Sequence, residues 1–100
     1  MSDPQPLFAA LSDPTRRAVF ERLTSQGPAS ATQLAAELPV SRQAVSKHLV
    51  ALDEAGLVER TLVGREVRYS AVLEPLTDVT TWVSKVGDEW DARLQRLRHL

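Results

Sequence analysis

Apolar side chains recur along this chain at the spacing of amphipathic helices, and one stretch near residue 60 alternates as a β-hairpin does. The first helix is expected to be capped by Asp3, with Pro4 at its first position. It runs through Leu7, Phe8 and Leu11. A short helix is therefore predicted at the start of the chain.

A second helix is predicted to begin after Asp13, which is a good N-cap, with Pro14 in the first turn. Its apolar face consists of Val19, Phe20 and Leu23. Gly27 and Pro28 end it, since glycine favours a helix terminus and proline cannot continue a helix.

Two further helices are predicted close together. Ser30 and Gln33 have the spacing of a capping box, which starts one helix, and Pro39 ends it. Ser41 is expected to cap the next helix, and Gly56 ends that one. Its core stripe is Val45, Leu49 and Leu52, at positions i, i+4 and i+7. Two helices separated by so short a turn form a helix-turn-helix.

The segments 57–62 and 66–72 are rich in Val, Leu, Thr and Tyr, and the segment 63–65 supplies a turn. We predict a hairpin with its tip at Gly64 and Arg65. A last helix opens at Pro75. Its apolar positions are spaced three or four residues apart, with a mean of 3.5, which suits packing along a partner helix. They are Leu76, Val79, Val83, Val86, Trp90, Leu94 and Leu97.

These elements predict a mainly α protein with a small β-hairpin, arranged as a winged helix-turn-helix. A chain of 100 residues forms one domain. Within residues 1–100, the helix-turn-helix spans 30–56 and the wing spans 57–72.

The helix that begins after Ser41 carries side chains suited to reading DNA. With its core stripe turned inward, Gln43, Ser46, Lys47 and Val50 face outward and Arg42 lies at one flank. Gln pairs well with adenine, Arg and Lys with guanine, and Ser with a base or a phosphate. Ser41 is better placed for a phosphate at the helix start. For any one of these residues, an ordinary solvated helix face is the alternative interpretation.

Two arginines of the hairpin, Arg65 at the tip and Arg68 further along, are expected to contact DNA phosphates. A purely solubilising role is the alternative. His48 lies at the edge of the core stripe, where either a DNA contact or packing near the turn would explain it.

The composition narrows the function classes. The net charge of -1 is low for a DNA-binding domain. Between residues 41 and 68 there are five basic and four acidic residues, so the net charge of that segment is only slightly positive. No apolar run is long enough for a membrane span, no secretory signal is visible, and there is no cysteine. We therefore expect a cytoplasmic protein.

No nucleophile elbow, phosphate-binding loop or His-Glu metal motif is present, so we expect neither an enzyme nor a bound cofactor.

Four short motifs follow one another along the chain. They are Leu11-Ser12-Asp13-Pro14-Thr15-Arg16-Arg17, Gln33-Leu34-Ala35, Ser41-Arg42-Gln43-Ala44-Val45-Ser46-Lys47-His48-Leu49 and Leu52-Asp53-Glu54-Ala55-Gly56-Leu57-Val58. In these motifs and their order the chain resembles the ArsR/SmtB family of winged-helix repressors. The resemblance implies a DNA-recognition helix over 41–55, with the hairpin as the wing.

The same resemblance implies a homodimer that binds a partly palindromic double-stranded operator and represses by occluding a promoter. The dimerisation helices would lie in 1–27 and 75–100. Their expected interface residues are Leu7, Phe8, Leu11, Val79, Val83, Val86, Trp90, Leu94 and Leu97. Typical members are released from DNA by an effector, often a metal.

The chain departs from the metal-sensing members of that family. Ser30, Ala31 and Thr32 stand where many carry a Cys-x-Cys pair, and Asp88 is followed by Glu89 and Trp90 instead of an Asp-x-His pair. His99 stands alone near the end. We therefore expect no metal site, and the effector is left undetermined. Two alternatives are a winged-helix module that binds protein, suggested by the near-neutral charge, and a metal sensor with oxygen and nitrogen ligands across a dimer.

Overall fold

Five helices and three short strands make up residues 5–98, the part of the chain that the computed structural model describes. The helices are α1 (Gln5–Leu11), α2 (Pro14–Gln26), α3 (Ala31–Glu37), α4 (Arg42–Glu54) and α5 (Glu74–Arg98). The strands are β1 (Ala29–Ser30), β2 (Val58–Val63) and β3 (Glu66–Ala71). This confirms the mainly α winged helix-turn-helix. The predicted cap Asp3, with Pro4, lies outside the described residues.

Three helices begin at the predicted capping residues. Oδ1 of Asp13 accepts a hydrogen bond from the backbone N–H of Arg16 at 2.9 Å. Ser30 Oγ accepts from the N–H of Gln33 at 3.0 Å, and Ser41 Oγ accepts from the N–H of Ala44 at 3.1 Å. Each side chain satisfies an N–H that has no partner inside its helix. The predicted starts of α2, α3 and α4 are confirmed.

The end of α4 is closed by two backbone hydrogen bonds around Gly56. The Gly56 N–H donates to the carbonyl of Asp53, and the Leu57 N–H donates to the carbonyl of Leu52, both at 2.9 Å. This pattern is a Schellman motif, and it requires the positive φ of 74° that Gly56 adopts. Leu52 and Leu57 are both fully buried. The motif thus turns the chain from α4 into the core and onward to β2.

Strands β2 and β3 form the wing hairpin, and β1 joins them in a three-stranded antiparallel sheet in the order β1-β3-β2. Val63 pairs with Glu66, so the predicted tip, Gly64 and Arg65, is a two-residue loop, and Gly64 has a φ of 65°. The short strand β1 was not predicted. It places Ala29 opposite Tyr69 on β3, and a strand of two residues is too short to show alternation in the sequence.

The core lies between α2, α3, α4 and the base of the sheet. Its fully buried large side chains are Val19, Leu34, Val45, Leu49, Leu52 and Leu57. The predicted inward stripe of α4 is therefore confirmed. α1 adds Leu7 and Ala10 to the same core.

Helix α5 extends away from that core. Only its first turns, through Leu76 and Val79, pack against the buried cluster, and no residue of α5 is buried. The described residues consequently span 65 × 27 × 21 Å. No helix within residues 5–98 is long and apolar enough to cross a membrane.

Candidate nucleic-acid interface

The N-terminal half of α4 presents a polar face to solvent. Ser41, Arg42, Gln43, Ser46 and Lys47 are all exposed. Gln43 and Lys47 lie opposite the buried stripe, Arg42 and Ser46 lie on one flank, and Ser41 stands at the helix start. Because successive residues rotate by about 100° around a helix, burial of one stripe forces the other residues outward. Five of the predicted DNA-binding residues therefore share one accessible surface. The Ser41 oxygen is occupied as the cap, but its O–H is still available to donate.

The turn between α3 and α4 sets how α4 projects. Leu38 caps the end of α3 through its N–H, which donates to the carbonyl of Leu34 at 2.9 Å. The N–H of Val40 then donates to the carbonyl of Leu38 at 2.8 Å. Leu38 and Val40 both pack against the core. This anchored turn leaves the start of α4 at the surface.

An open groove, which we call the wing groove, runs between α3, the start of α4 and β3. Its polar lining residues are Ser30, Thr32, Gln33, Arg42, Ser46, Arg65, Glu66 and Tyr69. The fold thus brings Arg65 at the wing tip to the same groove as Arg42 and Ser46 of α4. Two arginines and one glutamate leave the lining with a net positive charge. Such a groove suits a phosphate backbone.

Arg68 has a different position from Arg65. It is not among the residues that line the wing groove, and its Nε donates to Oε1 of Glu66 at 3.0 Å. Both side chains are about half exposed, so this ion pair contributes little to stability. Its effect is local, because Arg68 offsets the one acidic side chain at the edge of the groove.

His48 is a half-buried residue of α4, between its buried stripe and its exposed face. Its Nδ1 is shielded from solvent and has no hydrogen-bond partner among residues 5–98. The imidazole lies close enough to Asp13 to influence its carboxylate. The pKa of Asp13 is below its usual value chiefly because the N–H of Arg16 donates to it, and His48 acts in the same direction. His48 therefore packs near the Asp13 cap of α2, and its contact with DNA stays a prediction.

Five polar residues of the wing groove were not predicted as DNA-binding residues: Ser30, Thr32, Gln33, Glu66 and Tyr69. Gln33 was assigned only to helix capping. Tyr69 reaches the groove because β1 pairs with β3 at the start of α3. Its ring packs against the core. The only sequence signal was its place in the second hairpin strand, which does not show what faces it.

A second surface is apolar and lies on α5. Val83, Trp90, Leu94 and Leu97 are 47–65% exposed, and Trp82 beside them is 55% exposed. Val86 is half-buried, and Arg93 lies over the Trp90 ring, 5.5 Å from its centre. On α1, Phe8 is 42% exposed, whereas Leu7 is buried in its own chain and Leu11 is half-buried.

Metal ligands do not cluster in the described part of the chain. Within residues 5–98, no group of three or more His, Cys, Asp or Glu side chains is arranged to hold a metal ion. The acidic side chains of Asp88, Glu89 and Asp91 are exposed on α5. His99 lies outside the described residues.

The comparisons with known proteins match this geometry. Residues 11–61 match the model of a helix-turn-helix domain family, and that range includes α2 to α4 and the start of the wing. The chain is 53% identical over 55 residues to the HTH-type transcriptional regulator Rv2034 of Mycobacterium tuberculosis. That match covers 55% of this chain but only 50% of Rv2034, so the chain spans about half the length of that relative.

Two longer matches extend over most of the chain. The transcriptional repressor SdpR of Bacillus subtilis is 31% identical over 77 residues, which cover 77% of this chain and 84% of SdpR. The structure of an ArsR-like transcriptional regulator from Rhodococcus sp. RHA1 superposes with a TM-score of 0.80 at 45% identity. It covers 95% of this chain and 89% of the other. The likeness therefore includes α5 and the wing.

Proposed function

The chain belongs to the ArsR/SmtB family of helix-turn-helix transcriptional regulators, and we propose that it is a homodimeric repressor that binds an inverted-repeat operator in double-stranded DNA. It would repress by occluding a promoter. The observation that carries this proposal is the surface formed by the exposed start of α4 and the adjoining wing groove.

That surface divides naturally between two kinds of DNA contact. Gln43 and Lys47 are exposed on α4 and do not line the groove, so they are free to enter the major groove and meet base edges. Arg42 and Arg65 line the wing groove, where they would hold a phosphate backbone and position the protein. This division matches how a helix-turn-helix protein docks on DNA.

The exposed apolar face of α5 supports the homodimer. A stripe containing Val83, Trp90 and Leu94 would be covered if α5 packed against its copy, and Phe8 on α1 would add to the same interface. A two-fold dimer presents two copies of α4. The half-sites of its operator would then lie about 10 bp apart, or a multiple of that distance.

The repressor role is supported by the name of SdpR, a transcriptional repressor that is similar over most of this chain. Because the chain has no cysteine, release from DNA through a cysteine metal site is not part of the proposal. The rival function is a winged-helix module that binds another protein. In such a module, the exposed start of α4 would not bind DNA.

Fluorescence anisotropy with the DNA that flanks the protein's own gene tests the proposal. We expect tight binding to a segment containing an inverted repeat, weaker binding to a random duplex, and affinity for both that falls as salt rises. A protein-binding module predicts no salt-sensitive DNA binding. Absence of binding to every duplex at low salt would contradict the proposed function.

A further inference from the structure

The hydroxyl of Tyr69 has no assigned role in the fold. Tyr69 is half-buried on β3, where its ring packs against the core. Among residues 5–98 the hydroxyl makes no hydrogen bond to the protein, and it is not shielded from solvent. Tyr69 lines the open wing groove, and the core holds its ring in place.

The same groove carries groups that attract phosphate. Arg42 from α4 and Arg65 from the wing tip line it, and Arg68 holds the nearby Glu66 in an ion pair. A phosphate drawn between the two arginines would meet Tyr69 on the β3 wall. Tyr hydroxyls commonly donate to DNA phosphates, and a hydrogen bond to a charged acceptor is stronger than one between neutral groups.

We propose that Tyr69 is a positioning residue for DNA, and that its hydroxyl donates a hydrogen bond to a phosphate held in the wing groove. This inference rests on the proposed DNA-binding function and adds an uncharged contact to it. The ring is held by the core, so the hydroxyl is already ordered before DNA arrives, unlike the long side chains of Arg42 and Arg65. Little conformational entropy is lost when the contact forms.

An uncharged phosphate contact has a signature that an arginine contact lacks. Each cation that neutralises a phosphate releases counterions and steepens the dependence of affinity on salt. A tyrosine hydroxyl releases none. Removing it should weaken binding by the same factor at every salt concentration and on every DNA sequence, because phosphates carry no sequence information.

The test is Tyr69→Phe, which removes the hydroxyl and retains the ring that packs on the core. Binding is measured by anisotropy on an inverted-repeat operator selected from a random library and on a random duplex, over a series of salt concentrations. We expect about tenfold weaker binding to both duplexes, with salt dependences parallel to those of the unmodified protein. All comparisons are made at a temperature at which thermal denaturation shows both proteins folded.

Thr61→Val is the matched control. Thr61 is an exposed hydroxyl on β2 that does not line the groove, and valine preserves its shape. It should leave binding unchanged. Equal binding by Tyr69→Phe and the unmodified protein would overturn the inference while leaving the proposed function intact. So would a loss confined to the selected operator, or a change in salt slope. Failure of the unmodified protein to bind either duplex would reject both.

Discussion

The guanidinium of Arg22 on α2 forms a two-pronged ion pair with the carboxylate of Glu37 in the last turn of α3. Nε contacts one carboxylate oxygen, and Nη2 donates to the other at 3.3 Å. Nη1 donates to the carbonyl of Gly27 at 2.9 Å. Arg22 thereby joins α2, the turn that follows it and the end of α3, one short turn before the recognition helix.

The two partners differ in burial, and this predicts an asymmetry between variants. The Arg22 side chain is 7% exposed, whereas that of Glu37 is 37% exposed. Arg22→Met leaves a carboxylate that water can solvate, and should cost about 1 kcal/mol, mainly the hydrogen bond to Gly27. Glu37→Ala leaves the buried Arg22 guanidinium without its carboxylate partner and should be the more destabilising change. Urea denaturation of both variants measures their free energies of unfolding. A larger loss of stability for Arg22→Met than for Glu37→Ala would contradict the expected asymmetry.

The ion pair between Arg22 and Glu37 also makes the free energy of unfolding depend on pH. The hydrogen bond from Arg22 is the main reason that the pKa of Glu37 lies below its usual 4.5 in the folded protein. The stabilisation is therefore fully present above the unfolded pKa and is lost as pH falls through the folded pKa. The stability difference between the unmodified protein and Glu37→Gln should shrink as the pH drops below about 4.5. In the Arg22→Met background, the effect of Glu37→Gln on the pH profile should be much smaller, because the main cause of the lowered pKa is then removed. A difference that stayed constant from neutral pH to pH ~3 would rule out this linkage.

Gln43 and Lys47 are expected to read bases, because both are exposed on α4 outside the wing groove. Gln43→Ala and Lys47→Ala should each weaken operator binding by ~1–3 kcal/mol and reduce discrimination against random DNA. Competition titrations on the two duplexes provide the measurement. Both variants should remain folded, since neither side chain is part of the core. Unchanged discrimination in both would remove them from the base-reading set.

Arg65 at the wing tip is expected to contact a phosphate. Arg65→Ala should weaken binding to all sequences alike and lower the salt slope by about 1. Arg60→Ala is a suitable comparison, because Arg60 is an exposed arginine of the same hairpin that does not line the groove. It should have the smaller effect. A loss limited to the operator, with an unchanged salt slope, would mean that the wing reads sequence.

The apolar face of α5 is expected to form the dimer. Trp90 is 57% exposed in the single chain, and in the dimer it would be buried against the partner helix. Trp90→Asp would place an unpaired charge in that interface, so the dimer should dissociate or unfold and lose operator binding. Asp91→Asn, on an exposed neighbouring position, is the control. Sedimentation that finds Trp90→Asp still dimeric would place the interface elsewhere.

Much of the fold could be predicted from the sequence because its determinants are local. A cap such as Ser41 bonds to a backbone group three residues away, and Gly64 adopts a positive φ within its own turn. The inward stripe of α4 is visible as a period along the chain, and its burial forces the candidate DNA-binding residues outward. These interactions involve residues that are close in sequence, so their pattern can be recognised from the sequence alone.

Tertiary structure decided which distant side chains meet. Arg22 and Glu37 are 15 positions apart, and nothing in either helix alone indicates that they pair. Tyr69 reaches the wing groove only because the two-residue strand β1 pairs with β3 beside α3, and the Nδ1 of His48 is enclosed only once α4 has packed. Helical and strand periods determine which face of an element is apolar. They do not determine which residues of another element lie against it, because that depends on the packing of the whole core.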